Sequence, residues 1–181
     1  MITWRRKLAR LIGLEAPLTH IEAGNTAPRF SLKALDGKEY SLDAALERGP
    51  AVVAFFKISC PVCQFIFPFL QRISERFSGP SISVLGVSQD DPHSTEEFNR
   101  EYGVTFPTLV DDDGYPVSNA YGLTNVPSIF LVTADGTVKV SCMGFDKAAL
   151  ERITDELARY RNTSPLPLFL PDEVVPAFKP G

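Results

Sequence analysis

The chain has 181 residues, 44% of them hydrophobic and 22% charged, with a formal net charge of -4. That describes a soluble globular protein with one ordinary core and some extra chain. An acidic body excludes a nucleic-acid partner, whose phosphates need a basic surface, and three cysteines are too few for a disulfide scaffold.

Residues 1–23 are expected to form a short basic helix and a linker. Arg5, Arg6, Lys7 and Arg10 lie in the first ten positions, and Ile2, Leu8, Leu11 and Ile12 fall near one helical face over 2–13. Packing on the domain is preferred over a membrane surface for this helix. Its apolar stretch is interrupted by Arg10 and closed by Glu15, unlike an export signal, so the expected compartment is the cytoplasm.

The segment 28–42 alternates around Asp36-Gly37, which predicts a hairpin. A short helix follows, capped by Ser41 or Asp43 and stopped at Gly49-Pro50. The run AVVAFFKI (51–58) is continuously apolar and of strand length, as in a strand buried on both faces. Residues 61–77 read as a helix with Pro61 in the first position, where a missing N–H costs nothing. Pro68 within it removes one internal hydrogen bond and predicts a kink.

Residues 81–88 form the next buried strand, and 94–103 a helix with Ser94 as its cap and Gly103 as its stop. A short strand in FPTLVDDDG and a helical turn in YPVSNAYGL come next. A hairpin then turns at Asp135-Gly136, and 146–161 is an amphipathic helix. The Pro-rich segment 163–181 cannot be helical. It is too apolar for a free polar tail and is expected to run extended against the domain or a second subunit. The alternation of strand and helix over 24–162 means an α/β domain: a mixed central sheet, mostly parallel, with helices on both faces.

The chemistry lies at Cys60-Pro61-Val62-Cys63, where a buried strand hands over to a helix. A helix N-terminus offers free N–H groups and a favourable dipole, so a thiolate at Cys60 is stabilised. Cys63 lies one turn on, on the same face. Its sulfur can attack a mixed disulfide formed at Cys60, which makes Cys60 the nucleophile and Cys63 the resolving thiol. A zinc site needs four ligands, and only Cys142, His20 and His93 remain, none of them paired. Cys142 lies on the strand face of Val138 and Val140, so a buried structural role is expected for it rather than a redox one. Val126-Pro127 opens the strand SIFLV and is a candidate cis bond.

Four stretches, GNTAPRFSLKALDGKEYSL, FFKISCPVCQFIFPFL, EYGVTFPTLVDDDG and NVPSIFLVTADGTV, carry a resemblance to a known superfamily. Over about 24–160 the chain resembles the thioredoxin-like superfamily, in the branch of TlpA/ResA-type and AhpC/TSA redoxins. The resemblance implies a thioredoxin-like fold, extended here by the N-terminal hairpin and the Pro-rich tail. It also implies a cis-proline loop at Pro127 facing the dithiol. An acidic residue near the dithiol corresponds to Asp90, with Gln89 and Asp91 its close neighbours, and would take or relay the resolving thiol's proton. Ser59 stands where the family usually has tryptophan.

The expected activity is thiol–disulfide exchange with disulfide-bearing proteins or small thiols, recharged by an upstream reductant, with no cofactor and no metal. A peroxiredoxin-like peroxidase is the alternative. Its PxxxTxxC pattern would need Pro and Thr at Val53 and Lys57 for Cys60, or at Phe56 and Cys60 for Cys63. A metallochaperone or binding domain is a second alternative. Its expected spacing of CxxxC with a late histidine is not met by Cys60, Cys63, His20 and His93.

Overall fold

The computed structural model describes residues 19–181. The expected basic helix over 2–13 lies outside the described residues. The elements in chain order begin with β1 (Ser31–Lys33), β2 (Glu39–Ser41), α1 (Leu42–Leu46), β3 (Ala51–Phe56) and α2 (Pro61–Arg76). There follow β4 (Ser83–Ser88), α3 (Pro92–Tyr102), β5 (Thr108–Val110), α4 (Pro116–Ala120) and β6 (Ser128–Val132). The last are β7 (Val138–Met143), β8 (Phe145–Asp146), α5 (Lys147–Tyr160) and β9 (Phe178–Lys179).

Five strands form the central sheet in the order β5-β4-β3-β6-β7. β3 runs parallel to β4 and β4 to β5, while β6 is antiparallel to both β3 and β7. The sheet is therefore mixed, with β3 at its centre. Every residue of β3 is buried, and period-2 geometry divides them between two cores. Val52, Ala54 and Phe56 face one core with α2, α3 and α5; Ala51, Val53 and Phe55 face the other with α1, α4 and the β1–β2 hairpin. A strand walled in on both sides needs no polar face, which is why 51–56 reads as an unbroken apolar run.

Local chemistry sets most boundaries. The β1–β2 hairpin turns at Asp36-Gly37 with Lys33 opposite Glu39. Ser41 caps α1, its hydroxyl accepting from the Ala44 amide at 3.1 Å. α2 runs through Pro68 without ending. The cap of α3 is Asp91 rather than Ser94: Asp91 Oδ1 accepts from the Ser94 amide at 3.0 Å, and Pro92 takes the first helical position. The helix therefore starts two residues earlier than its sequence pattern suggests. Gly103 ends it in the left-handed conformation, φ 65°, open to glycine at no steric cost.

The tail from 163 onward is extended and packs on the domain. Leu168 and Phe169 are buried in the core shared by α2 and α5. Arg72 on α2 donates to the Leu168 carbonyl at 2.7 Å and holds Glu173 with both guanidinium nitrogens at 2.8 and 2.6 Å. One turn on, Arg76 donates to the Leu166 and Pro167 carbonyls. The tail then returns along the sheet end, and β9 pairs antiparallel with β8.

Candidate active site

Cys60 and Cys63 sit where β3 gives way to α2. The turn between them is fixed by backbone and side chain together. The Cys60 amide donates to the Lys57 carbonyl at 3.1 Å, and Gln64 Nε2 reaches back to the Ile58 carbonyl at 2.9 Å. Cys60 is the N-cap residue of α2, extended at φ -85° and ψ 115°, with Pro61 next. Its sulfur accepts from the Cys63 amide at 3.3 Å, in the position a capping oxygen would take. The thiol donates to the Val126 carbonyl at 3.3 Å.

The two sulfurs occupy different surroundings. Cys60 is half-buried and Cys63 fully buried, and neither is in a disulfide. Burial pushes the Cys63 thiol well above its ordinary range. The adjoining Cys60 sulfur and the Asp90 carboxylate push it further, against a backbone hydrogen bond at Lys57. A half-buried thiol on a helix N-terminus can attack an incoming disulfide, and a buried neighbour one turn away can attack a mixed disulfide formed there.

Asp90 reaches the turn because β4 runs parallel to β3 in register, with Ser88 opposite Phe56. Its Oδ2 accepts from the Ile58 amide at 2.7 Å. The neighbours are committed elsewhere: Gln89 Nε2 donates to Ser118 Oγ at 3.0 Å, and Asp91 caps α3. Pro127 lies across the site. The Val126–Pro127 bond is cis, and the antiparallel pairing of β6 with β3 sets Ser128 opposite Phe55, which places Val126 beside Cys60. The four residues singled out in the sequence, Cys60, Cys63, Asp90 and Pro127, thus converge on one end of the sheet.

Cys142 stays apart. It is 4% exposed on β7 opposite Ile129, its thiol donates to the Gly144 carbonyl at 3.6 Å, and burial pushes it up to about 11. Among the described residues, no group of three or more His, Cys, Asp or Glu side chains is arranged to hold a metal ion. Sequence reasoning missed Gln64 as a brace for the turn, because a glutamine in a helix carries no such signal. It also missed β9. Phe178 and Lys179 lie with Ala177 between Pro176 and Pro180 and pair with the edge of β8.

Comparison with known proteins agrees with this geometry. Residues 23–141 match the AhpC/TSA family. The thiol-disulfide oxidoreductase ResA of Geobacillus thermodenitrificans is 30% identical over 122 residues, covering 67% of this chain and 69% of that protein. The structure of Mycobacterium tuberculosis dsbF superposes with a TM-score of 0.62 at 30% identity, covering 71% of this chain and 94% of the other. A thiol:disulfide interchange protein DsbE from Chlorobium tepidum gives a TM-score of 0.67 at 22% identity, over 77% and 97% of the two chains, and shares the fold. The chain has the thioredoxin-like fold, is a thiol–disulfide oxidoreductase, and belongs to the AhpC/TSA family.

Proposed function

We propose that this oxidoreductase passes two electrons from the Cys60–Cys63 dithiol to disulfides on proteins or small thiols, with Cys60 attacking and Cys63 resolving. The Cys60 thiolate attacks one sulfur of a substrate disulfide and forms a mixed disulfide. The other substrate sulfur leaves as a thiolate and takes up a proton. Cys63, on losing its proton, attacks the Cys60 sulfur and forms the Cys60–Cys63 bond. The second substrate thiolate is released, and the substrate is then reduced and the enzyme oxidised. An upstream reductant restores the dithiol.

The observation that carries this reading is the asymmetry of the pair. Cys60 is half-buried with its sulfur at 3.3 Å from a helix N-terminal amide, whereas Cys63 is buried and hard to ionise. Asp90 has the role of accepting the Cys63 proton during the second step, supported by its hydrogen bond to Ile58 and its electrostatic reach to Cys63.

Trapping tests the assignment. Cys63→Ser incubated with oxidised insulin should accumulate a mixed disulfide through Cys60, visible by mass. Cys60→Ser should accumulate none. A trapped adduct on Cys63 in the Cys60→Ser protein reverses the roles. A hydrogen peroxide arm run alongside separates peroxidase from exchange: turnover of peroxide faster than of insulin would favour the peroxidase.

A further inference from the structure

Residues 178–181 run beside Val126, whose carbonyl holds the Cys60 thiol. β9 is laid against β8 with Lys179 opposite Phe145 and Phe178 opposite Asp146, and the Lys147 amide donates to the Ala177 carbonyl at 3.0 Å. Lys179 Nζ stands 4.8 Å from the centre of the Phe65 ring, on the first turns of α2. Gly144, at φ +71°, leaves room for the tail to cross: a Cβ there would strike the Lys179 carbonyl oxygen and lie 2.9 Å from the Gly181 nitrogen. Gly181 in turn rests on Val126. A Cβ on Gly181 would stand 2.5 Å from the Val126 carbonyl oxygen and 2.8 Å from Asn125 Nδ2. That carbonyl oxygen is the one that accepts from the Cys60 thiol.

An extended polypeptide bringing a disulfide to Cys60 has to pass over this same strip. Its backbone would compete for the edge of β8 and for the surface above Val126. A small disulfide needs far less of it, because only its two sulfurs and their immediate substituents must approach the Cys60 sulfur. We propose that residues 178–181 are a resident occupant of this lane and set the selectivity of Cys60. With the tail down, the dithiol reacts with small disulfides; a protein disulfide reacts once the tail lifts. The proposal rests on the exchange reaction above and adds to it which disulfides are admitted.

The anchoring is divided in a way that suits this role. Leu168, Phe169 and the arginine contacts of 166–173 fix the root of the tail to α2. The tip itself is held by a two-residue ladder, the Lys179–Phe65 contact and glycine-sized clearances. Phe178 is 56% exposed and Gly181 is exposed. A short ladder of this kind opens locally without unfolding the sheet.

The test compares three proteins: the unmodified chain, a chain lacking residues 178–181, and the Gly181→Leu variant. The point variant removes no contact of the root but cannot seat its side chain against Val126. Each is fully reduced, mixed with either glutathione disulfide or oxidised insulin, and followed by the rate of Cys60–Cys63 oxidation. A tail docked nine-tenths of the time reduces the competent fraction to about a tenth, so both variants should react with insulin roughly tenfold faster. The glutathione disulfide rate should stay within about twofold, since that substrate does not wait for tail opening. Unchanged insulin rates in both variants, or equal acceleration with both disulfides, would overturn the proposal while leaving the exchange reaction standing. Reaction of none of the three proteins with either disulfide would overturn the exchange reaction, and the tail proposal with it.

Discussion

Replacing Phe169 by alanine should release the tail without unfolding the domain. The ring is 6% exposed and sits 4.9 Å from Phe69 and 5.9 Å from Phe145, centre to centre. Deleting a buried phenylalanine ring costs ~3–5 kcal/mol, part of it from the aromatic contacts, worth ~0.5–1.5 kcal/mol each. Leu168 beside it retains the rest of the apolar anchor, and the polar contacts of the tail root are weaker. The Arg72–Glu173 pair is partly exposed and screened, and Arg76 reaches its carbonyls from the surface. The apolar anchor therefore decides whether the tail stays down. At ~3 kcal/mol, and 1.4 kcal/mol for each factor of ten, the open-to-docked ratio should rise about a hundredfold, so a tail docked nine-tenths of the time becomes mostly open. Amide hydrogen exchange reads this directly at Lys147, whose N–H donates to the Ala177 carbonyl only while the tail is docked. Exchange there should quicken by roughly tenfold, the most that a tail already open a tenth of the time allows, with much smaller changes inside β3. Unchanged exchange at Lys147 together with a large fall in melting temperature would refute the reasoning, because Phe169 would then belong to the global core rather than to a separable tail.

Three further outcomes are expected. Asp90→Asn removes a charge that raises the Cys63 thiol and also removes the proposed proton acceptor, so the two effects oppose. If acceptance dominates, release of the mixed disulfide slows by about tenfold or more at neutral pH; faster release by stopped-flow would show that only the charge mattered. Cys142 should remain reduced under mild oxidation, even in Cys63→Ser, because it is buried, pushed up to about 11 and bonded to Gly144; a Cys60–Cys142 disulfide seen by mass spectrometry contradicts this. Glu173 is held down to about 2 by Arg72 first and the Leu170 amide second, from an ordinary value of 4.5. A depressed carboxylate stabilises docking above its free value and loses that contribution as pH falls through the folded value. Protease release of the tail should therefore rise between pH ~4.5 and ~2 in the unmodified chain and be nearly flat in Glu173→Gln; parallel curves would remove the ion pair from the account.

The central architecture was legible because its signals are local. A strand buried on both faces reads as an apolar run, so β3 stands out, and Asp36-Gly37 and Asp135-Gly136 mark the turns of the β1–β2 and β6–β7 hairpins directly. Cys60 and Cys63 were legible for the same reason: strand, thiol, proline and helix follow one another within a few residues. Asp90 was found by spacing and resemblance, and geometry then separated it from Gln89 and Asp91. Ser94 looked like a cap because it precedes a periodic run, but a proline at 92 makes a better first residue and passes the cap to Asp91. The docking of the tail was foreseen from its apolar content. Its route was not, since Phe178 and Lys179 have no pattern of their own and pair by meeting a strand edge distant in sequence.

The burial at the redox end leaves a small region open to retuning. Cys63, Ile66 and Phe67 are sealed in the core, and β3 beneath them has no exposed residue, so change there is felt through the whole packing. Pro61 is exposed and Val62 only half-buried, yet both lie between the two sulfurs. Substitutions at Pro61 alter the field around the dithiol with little effect on the core, whereas Val62 also packs against that core. The reduction potential of this scaffold is therefore an adjustable property, separable from its folding. A library confined to position 61 should yield proteins of nearly equal thermal stability whose affinity for electrons differs widely.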